Sequence, residues 1–227
     1  FDVTDLVKPG KNIMGALLGN GWYKGRFGLR GYENIYGDRF ALLAELVVTY
    51  TDGTTKVIGT DETWEAAQSH ILDGNIYDGE IQDARKLVKG WTSELDCGGD
   101  WGSVQTINLN MGLLQARRSV PVRIMEELKP VQVIKTPKGE TVLDMGQNMV
   151  GWVRFTNRAP EGTQIHLQFG EELQDGCFYR ENLRGAKAEF KHISNGEVCE
   201  VQPHFTFYGF RYVKVQGWPG EIDLDDF

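Results

Sequence analysis

The sequence predicts an all-β protein: two consecutive antiparallel β-sandwich (jelly-roll-like) domains. Three observations point there. Six Trp, eight Tyr and eleven Phe stand beside 28 Gly, a composition of aromatic strands broken by tight turns. Phe40, Leu42, Ala44, Leu46, Val48 and Tyr50 fall on one face at a period of two. No helical period is sustained, and nothing repeats at fixed spacing. The two sandwiches are expected over residues 1–116 and 117–227.

In chain order, Phe1 to Gly10 reads as a short strand ending in the turn Lys8-Pro9-Gly10. Asn12 to Leu18 is an apolar strand stopped by Gly19-Asn20-Gly21, and a glycine-rich loop through Gly28, Gly31 and Gly37 follows Trp22-Tyr23. Phe40 to Tyr50 and Thr54 to Ile58 pair across Asp52-Gly53. Ile71 to Arg85 reads as a carboxylate-rich loop between short strands, and Gly90-Trp91 and Asp100-Trp101 close the first unit. Residues 113–123 cross to the second, which starts with Val131 to Ile134.

Thr141 to Phe155 reads as strand, tight corner, strand, bending at Gly146 and Gly151. Asp144, Gln147 and Asn148 lie between its apolar residues. A buried carboxylate or amide must be hydrogen-bonded, so a polar corner clasping backbone is expected. Gln164 to Phe169 alternates with Ile165, Leu167 and Phe169 inward. Glu171 to Gly196 is polar and loop-rich around Arg180 and Arg184, with a strand from Ala188 to Ile193. Phe205 to Val215 is the last strand.

A net charge of -8 argues against nucleic-acid and anionic-membrane partners, and no apolar stretch is long enough to cross a bilayer. Cys97, Cys177 and Cys199 are odd in number and widely spaced, giving neither a disulfide framework nor a zinc site. That usage fits the cytoplasm and an exported protein equally. Phe1 opens inside a pattern, so the chain is expected to be a piece of a longer one.

Asp78, Glu80 and Asp83 form the densest group among 32 acidic residues. They would bind calcium, a hard cation wanting several oxygens, or else pair with Arg85 and cap turns. Asn20, Trp22 and Tyr23 are candidate sugar contacts, an aromatic face for the ring and an amide for its hydroxyls, although Trp22 also reads as core. With Asp78 and Glu80 they make up the candidate carbohydrate site. His70, His166, His192 and His204 have no metal spacing, and no nucleophile elbow or phosphate loop is present.

Several of these segments together resemble bacterial α-L-rhamnosidases of glycoside hydrolase family 78. Gly19-Asn20-Gly21-Trp22-Tyr23-Lys24-Gly25, Ile76-Tyr77-Asp78-Gly79-Glu80 and Asp83-Ala84-Arg85 look like the N-terminal β-sandwich, with Gln82 where that family usually has Tyr. Leu143 to Asn148, Gly170 to Leu173 and Gly209-Phe210-Arg211-Tyr212 look like the sandwich that follows it. The resemblance implies an enzyme that releases terminal α-L-rhamnose from glycosides and polysaccharides with inversion. It also implies that the catalytic acid and base stand on an (α/α)6 barrel of the same polypeptide, so no catalytic residue is expected here. No cofactor is required by that chemistry, although a related module in the family holds rhamnose through calcium. The alternatives are a freestanding calcium-dependent carbohydrate-binding module and the jelly-roll of another glycosidase.

Overall fold

The computed structural model describes residues 1–26, 31–94, 96–116 and 118–227. Gly28 of the expected glycine-rich loop lies outside them. The described residues are dominated by strands, as the composition predicts. The first half holds a 3-10 turn at Thr4–Leu6, a one-turn helix α1 (Gly21–Lys24), and the strands β1 (Glu45–Thr49), β2 (Thr55–Gly59) and β3 (Glu65–Ala66). There follow β4 (Ile71–Asn75), β5 (Gly79–Asp83) and β6 (Gly102–Ser103). The second half runs β7 (Gln132–Lys135), β8 (Thr141–Gly151), β9 (Phe155–Asn157), β10 (Gln164–Gly170), β11 (Glu172–Gln174) and β12 (Cys177–Tyr179). It ends with β13 (Glu189–Ile193), β14 (Cys199–Val201) and β15 (Tyr208–Gln216).

One seven-stranded sheet organises the molecule, in the order β4-β5-β13-β10-β15-β8-β7. It takes strands from both sides of 116/117: β5 lies parallel to β13, Gly79 facing Glu189 and Asp83 facing Ile193. Of the carboxylates between Ile71 and Arg85, Asp73, Glu80 and Asp83 therefore sit on the strands of a β-hairpin of the main sheet, and Asp78 sits in its turn. Ile165, Leu167 and Phe169 of β10 point into the core as the alternation predicts. On β15 the buried residues are Tyr208 and Phe210, then Val213 and Val215. The change of phase comes from a bulge. Phe210 faces Met149 and Tyr212 faces Asp144, so four residues of β8 stand opposite Arg211 alone. This bulge is the corner expected in Thr141–Phe155. Gly146, at φ +81°, makes its bend.

The expected polar clasp is Asp144 alone. It accepts from Gly146 N (2.8 Å), from Arg211 through Nε (2.9 Å) and Nη2 (3.1 Å), and from Gln132 Nε2 (3.2 Å). The two-pronged Arg211 contact holds its carboxyl down at about 2. Gln147 and Asn148 face solvent.

The core lies against one face of this sheet. Phe169 stacks on Tyr208 at 3.7 Å, and Phe155 meets Phe190, Trp218 and Phe227. Each buried aromatic side chain is worth about 2 kcal/mol, and the small pair β9–β14 forms the opposite layer. The first half differs. Ala84 is the one buried apolar side chain before Pro130 among the described residues. The strand expected over Phe40 to Tyr50 shrinks to β1, paired only with β2, and the strand expected over Asn12 to Leu18 is extended chain without ladder partners.

Candidate functional site

The candidate residues gather where α1 packs on the β4–β5 hairpin. Gly19 and Gly74 bring two backbone segments onto the ring of Phe205: a Cβ at Gly19 would sit 2.4 Å from that ring and one at Gly74 3.1 Å from Phe205 Cβ. This places Asn20 beside β4, where its Nδ2 donates to Asp73 Oδ1 at 3.3 Å. Trp22 is 45% and Tyr23 52% exposed, so packing inside the core is not Trp22's role. Its ring meets Tyr77 edge-on at 5.6 Å. A broad concavity of about 1940 Å³ runs through the first half, and Asn20, Lys24, Asp73, Asp78 and Phe205 are among the residues that line it, whereas Trp22 and Tyr23 are not.

The acidic residues do not converge. Asp78 accepts from Arg26 Nη1 at 2.7 Å and from Lys187 N at 3.3 Å, tying the hairpin to residues 184–188. Arg26 Nη1 also donates to Gly185 O at 2.7 Å. Glu80 is 1% exposed on the core face of β5. Its carboxylate accepts from His204 N (3.0 Å), Phe205 N (2.7 Å) and Gln82 Nε2 (2.7 Å). It is out of reach of a ligand in the concavity. Asp83 accepts from Arg85 Nε and Nη2, both at 2.8 Å, and from Arg85 N. The calcium group expected at Asp78, Glu80 and Asp83 is therefore not assembled, and among the described residues no three His, Cys, Asp or Glu are placed to hold a metal. Asp78 lies in the turn before β5 begins and so does not share the strand face of Glu80.

Two polar residues here, Asp73 and the buried Asn75, were not singled out from the sequence. Their signal was the run Asp73-Gly74-Asn75, in which a glycine lets a neighbouring ring approach. Gln82 was noted only as a departure from the family pattern. It bridges Glu80 to Gln202 O (2.9 Å) and to His192 Nδ1 (3.4 Å).

His192 is buried, with its Nε2 unpartnered among the described residues. Burial, helped by His70, presses its pKa down to about 4. In the unfolded chain it titrates near the ordinary histidine value, so between these two the unfolded state binds the extra proton. Stability is thus full at neutral pH, falls as pH drops toward 4, and levels off below. The loss is about 3 kcal/mol. His70, lowered chiefly by burial, acts in the same direction. Glu80, raised chiefly by burial, acts in the opposite one once pH falls into the carboxylate range. Urea unfolding at about pH 7.5 and about pH 5 should show the drop, and His192→Gln should flatten it.

Both halves match known domains. Residues 1–126 match the α-L-rhamnosidase N-terminal domain, and residues 134–227 the bacterial α-L-rhamnosidase concanavalin-like domain. The chain belongs to the α-L-rhamnosidase family. It is 41% identical over 224 residues to an α-L-rhamnosidase of Streptomyces avermitilis, covering 97% of this chain and 22% of that enzyme. It is 36% identical over 223 residues to one from an Alteromonas species, covering 96% of this chain and 24% of that enzyme. Among solved structures, native α-L-rhamnosidase from Aspergillus terreus superposes with a TM-score of 0.85 at 39% identity, over 91% of this chain and 24% of that one. The S. avermitilis enzyme complexed with L-rhamnose gives 0.83 at 40% identity, over 91% of this chain and 20% of that one. These 227 residues thus span about a quarter or less of their rhamnosidase relatives.

Proposed function

We propose that these residues are the accessory β part of an α-L-rhamnosidase. In this reading they hold rhamnosyl glycoside or polysaccharide at the α1 rim, and hydrolysis occurs elsewhere on the parent polypeptide. What supports this most is the match of both halves, in order, to two rhamnosidase domains amounting to about a quarter of those enzymes. Inverting hydrolysis needs two carboxyl groups about 6.5–9.5 Å apart across the bond. The carboxylates at this rim are instead committed, Asp78 to Arg26 and Asp73 to Asn20. Trp22 and Tyr23 supply half-exposed ring faces, and Asn20 supplies an amide beside them. Exposed apolar side chains at Ile107, Leu109, Leu113, Val122 and Met125 are the surface we assign to contact with the rest of the parent enzyme.

The test is calorimetry with L-rhamnose, in calcium and in chelator, together with an assay on an aryl α-L-rhamnoside. Weak binding, with Kd about millimolar, should appear equally in both buffers and vanish in Trp22→Ala. The chain should not turn over the aryl rhamnoside. Absence of heat from folded protein would end the binding claim, and turnover by these 227 residues would end the accessory one.

A further inference from the structure

We propose that Arg180 completes a carboxylate-binding site on the outer face of the seven-stranded sheet. Arg180 follows β12 and begins the polar segment 180–188. It is half-buried, and its Nε is sealed from solvent with no hydrogen-bond partner among the described residues. Its guanidinium makes no ion pair among them either. Glu189, on β13, is the acid whose charge it feels, yet both oxygens of Glu189 are taken. Oε2 meets His166 Nε2 at 2.7 Å and Oε1 accepts from Lys191 Nζ at 2.6 Å. Burial keeps His166 toward its neutral form, so Arg180, Lys191 and Glu189 together leave one positive charge uncompensated.

A guanidinium N–H withdrawn from water without an acceptor is costly, and the partner the planar fork matches is a carboxylate. The backbone beside it carries a second sign. Arg184 (φ 55°) and Ala188 (φ 39°) both lie in the left-handed region without being glycine. Such strain persists where surroundings over-determine the chain, and it clusters at ligand clamps. Here the segment is fastened by Asp78 to Lys187 N and by Arg26 to Gly185 O. That clamp presents Arg180 on the sheet with its Nε–H unpaired among the described residues.

The carboxylate would come from an acidic sugar or from an acidic side chain. Both are covered by titrating the chain with sodium D-glucuronate and with sodium acetate while following the His166 ring resonances by NMR, with glucose as the neutral control. Saturable shifts with a carboxylate, none with glucose, and affinity lowered by about tenfold or more in Arg180→Gln would support the site. Arg180→Lys keeps the charge but not the fork, and should bind weakly while remaining folded. Glucuronate binding about tenfold tighter than acetate would identify a sugar-acid site, and equal affinities a bare carboxylate such as a side chain presents. No saturable shift with either carboxylate, or shifts that survive Arg180→Gln, would overturn the proposal.

Discussion

Gly79→Ala is expected to cost about 4–5 kcal/mol, the largest loss of any conservative change in this chain. Gly79 opens β5 at φ +101°, and a Cβ there would lie 1.8 Å from the carbonyl oxygen of Glu189. That carbonyl cannot move aside cheaply. It accepts from Tyr208 Oη at 2.9 Å, while Glu189 N donates to Asp78 O at 3.1 Å. The added methyl therefore wedges open the parallel β5–β13 seam joining the two halves. Gly53→Ala is the control: φ is +84°, but nothing lies within 4 Å of its Cβ. That substitution should cost about 1 kcal/mol, from backbone strain alone. Urea unfolding compares the two, and hydrogen exchange locates the damage. The amides of β4 and β5 should lose protection first in Gly79→Ala, while β10 and β15 keep theirs longer. Equal costs for both glycines would mean that the seam yields and the close approach is incidental.

The second half was readable from sequence because its strands bury alternate residues against one core. Ile165, Leu167 and Phe169 carry their period into the structure unchanged, and the bend at Gly146 marked a real bulge. In the first half the same reading overreached. Phe40, Leu42 and Tyr50 alternate as core residues would, yet all three are exposed. Alternation reports which side chains could share a face. It does not report whether anything covers that face. The parallel pairing of β5 with β13 joins residues about a hundred positions apart, and no local pattern encodes such a register. The candidate site divides similarly. Asn20 and Asp78 do line one concavity, with Trp22 and Tyr23 on the adjoining helix, and glycines at 19 and 74 let the segments close on Phe205. Glu80 and Asp83 were grouped with Asp78 by proximity along the chain. Strand geometry instead turned Glu80 into the core and left Asp83 to Arg85.

Glu80→Ala should follow as the second-largest effect, about 3–4 kcal/mol. The substitution strands the backbone N–H groups of His204 and Phe205 in a dry interior and removes one acceptor from the Gln82 amide, which keeps Gln202 O. Glu80→Gln should cost less, about half as much, because one oxygen survives while the new NH2 faces a donor. The consequence reaches the rim. Phe205 is held by the Glu80 carboxylate at its backbone and supports Gly19 and Gly74 with its side chain. Loosening it should shift Asn20 relative to Asp73 and weaken the proposed rhamnose binding, although Glu80 itself is 1% exposed. The two effects must therefore travel together: across Ala and Gln variants, loss of sugar affinity should scale with loss of stability. A variant at Glu80 that abolished binding while unfolding at the same urea midpoint as the parent chain would place this carboxylate in direct contact with sugar. The buried-anchor account could not survive that result.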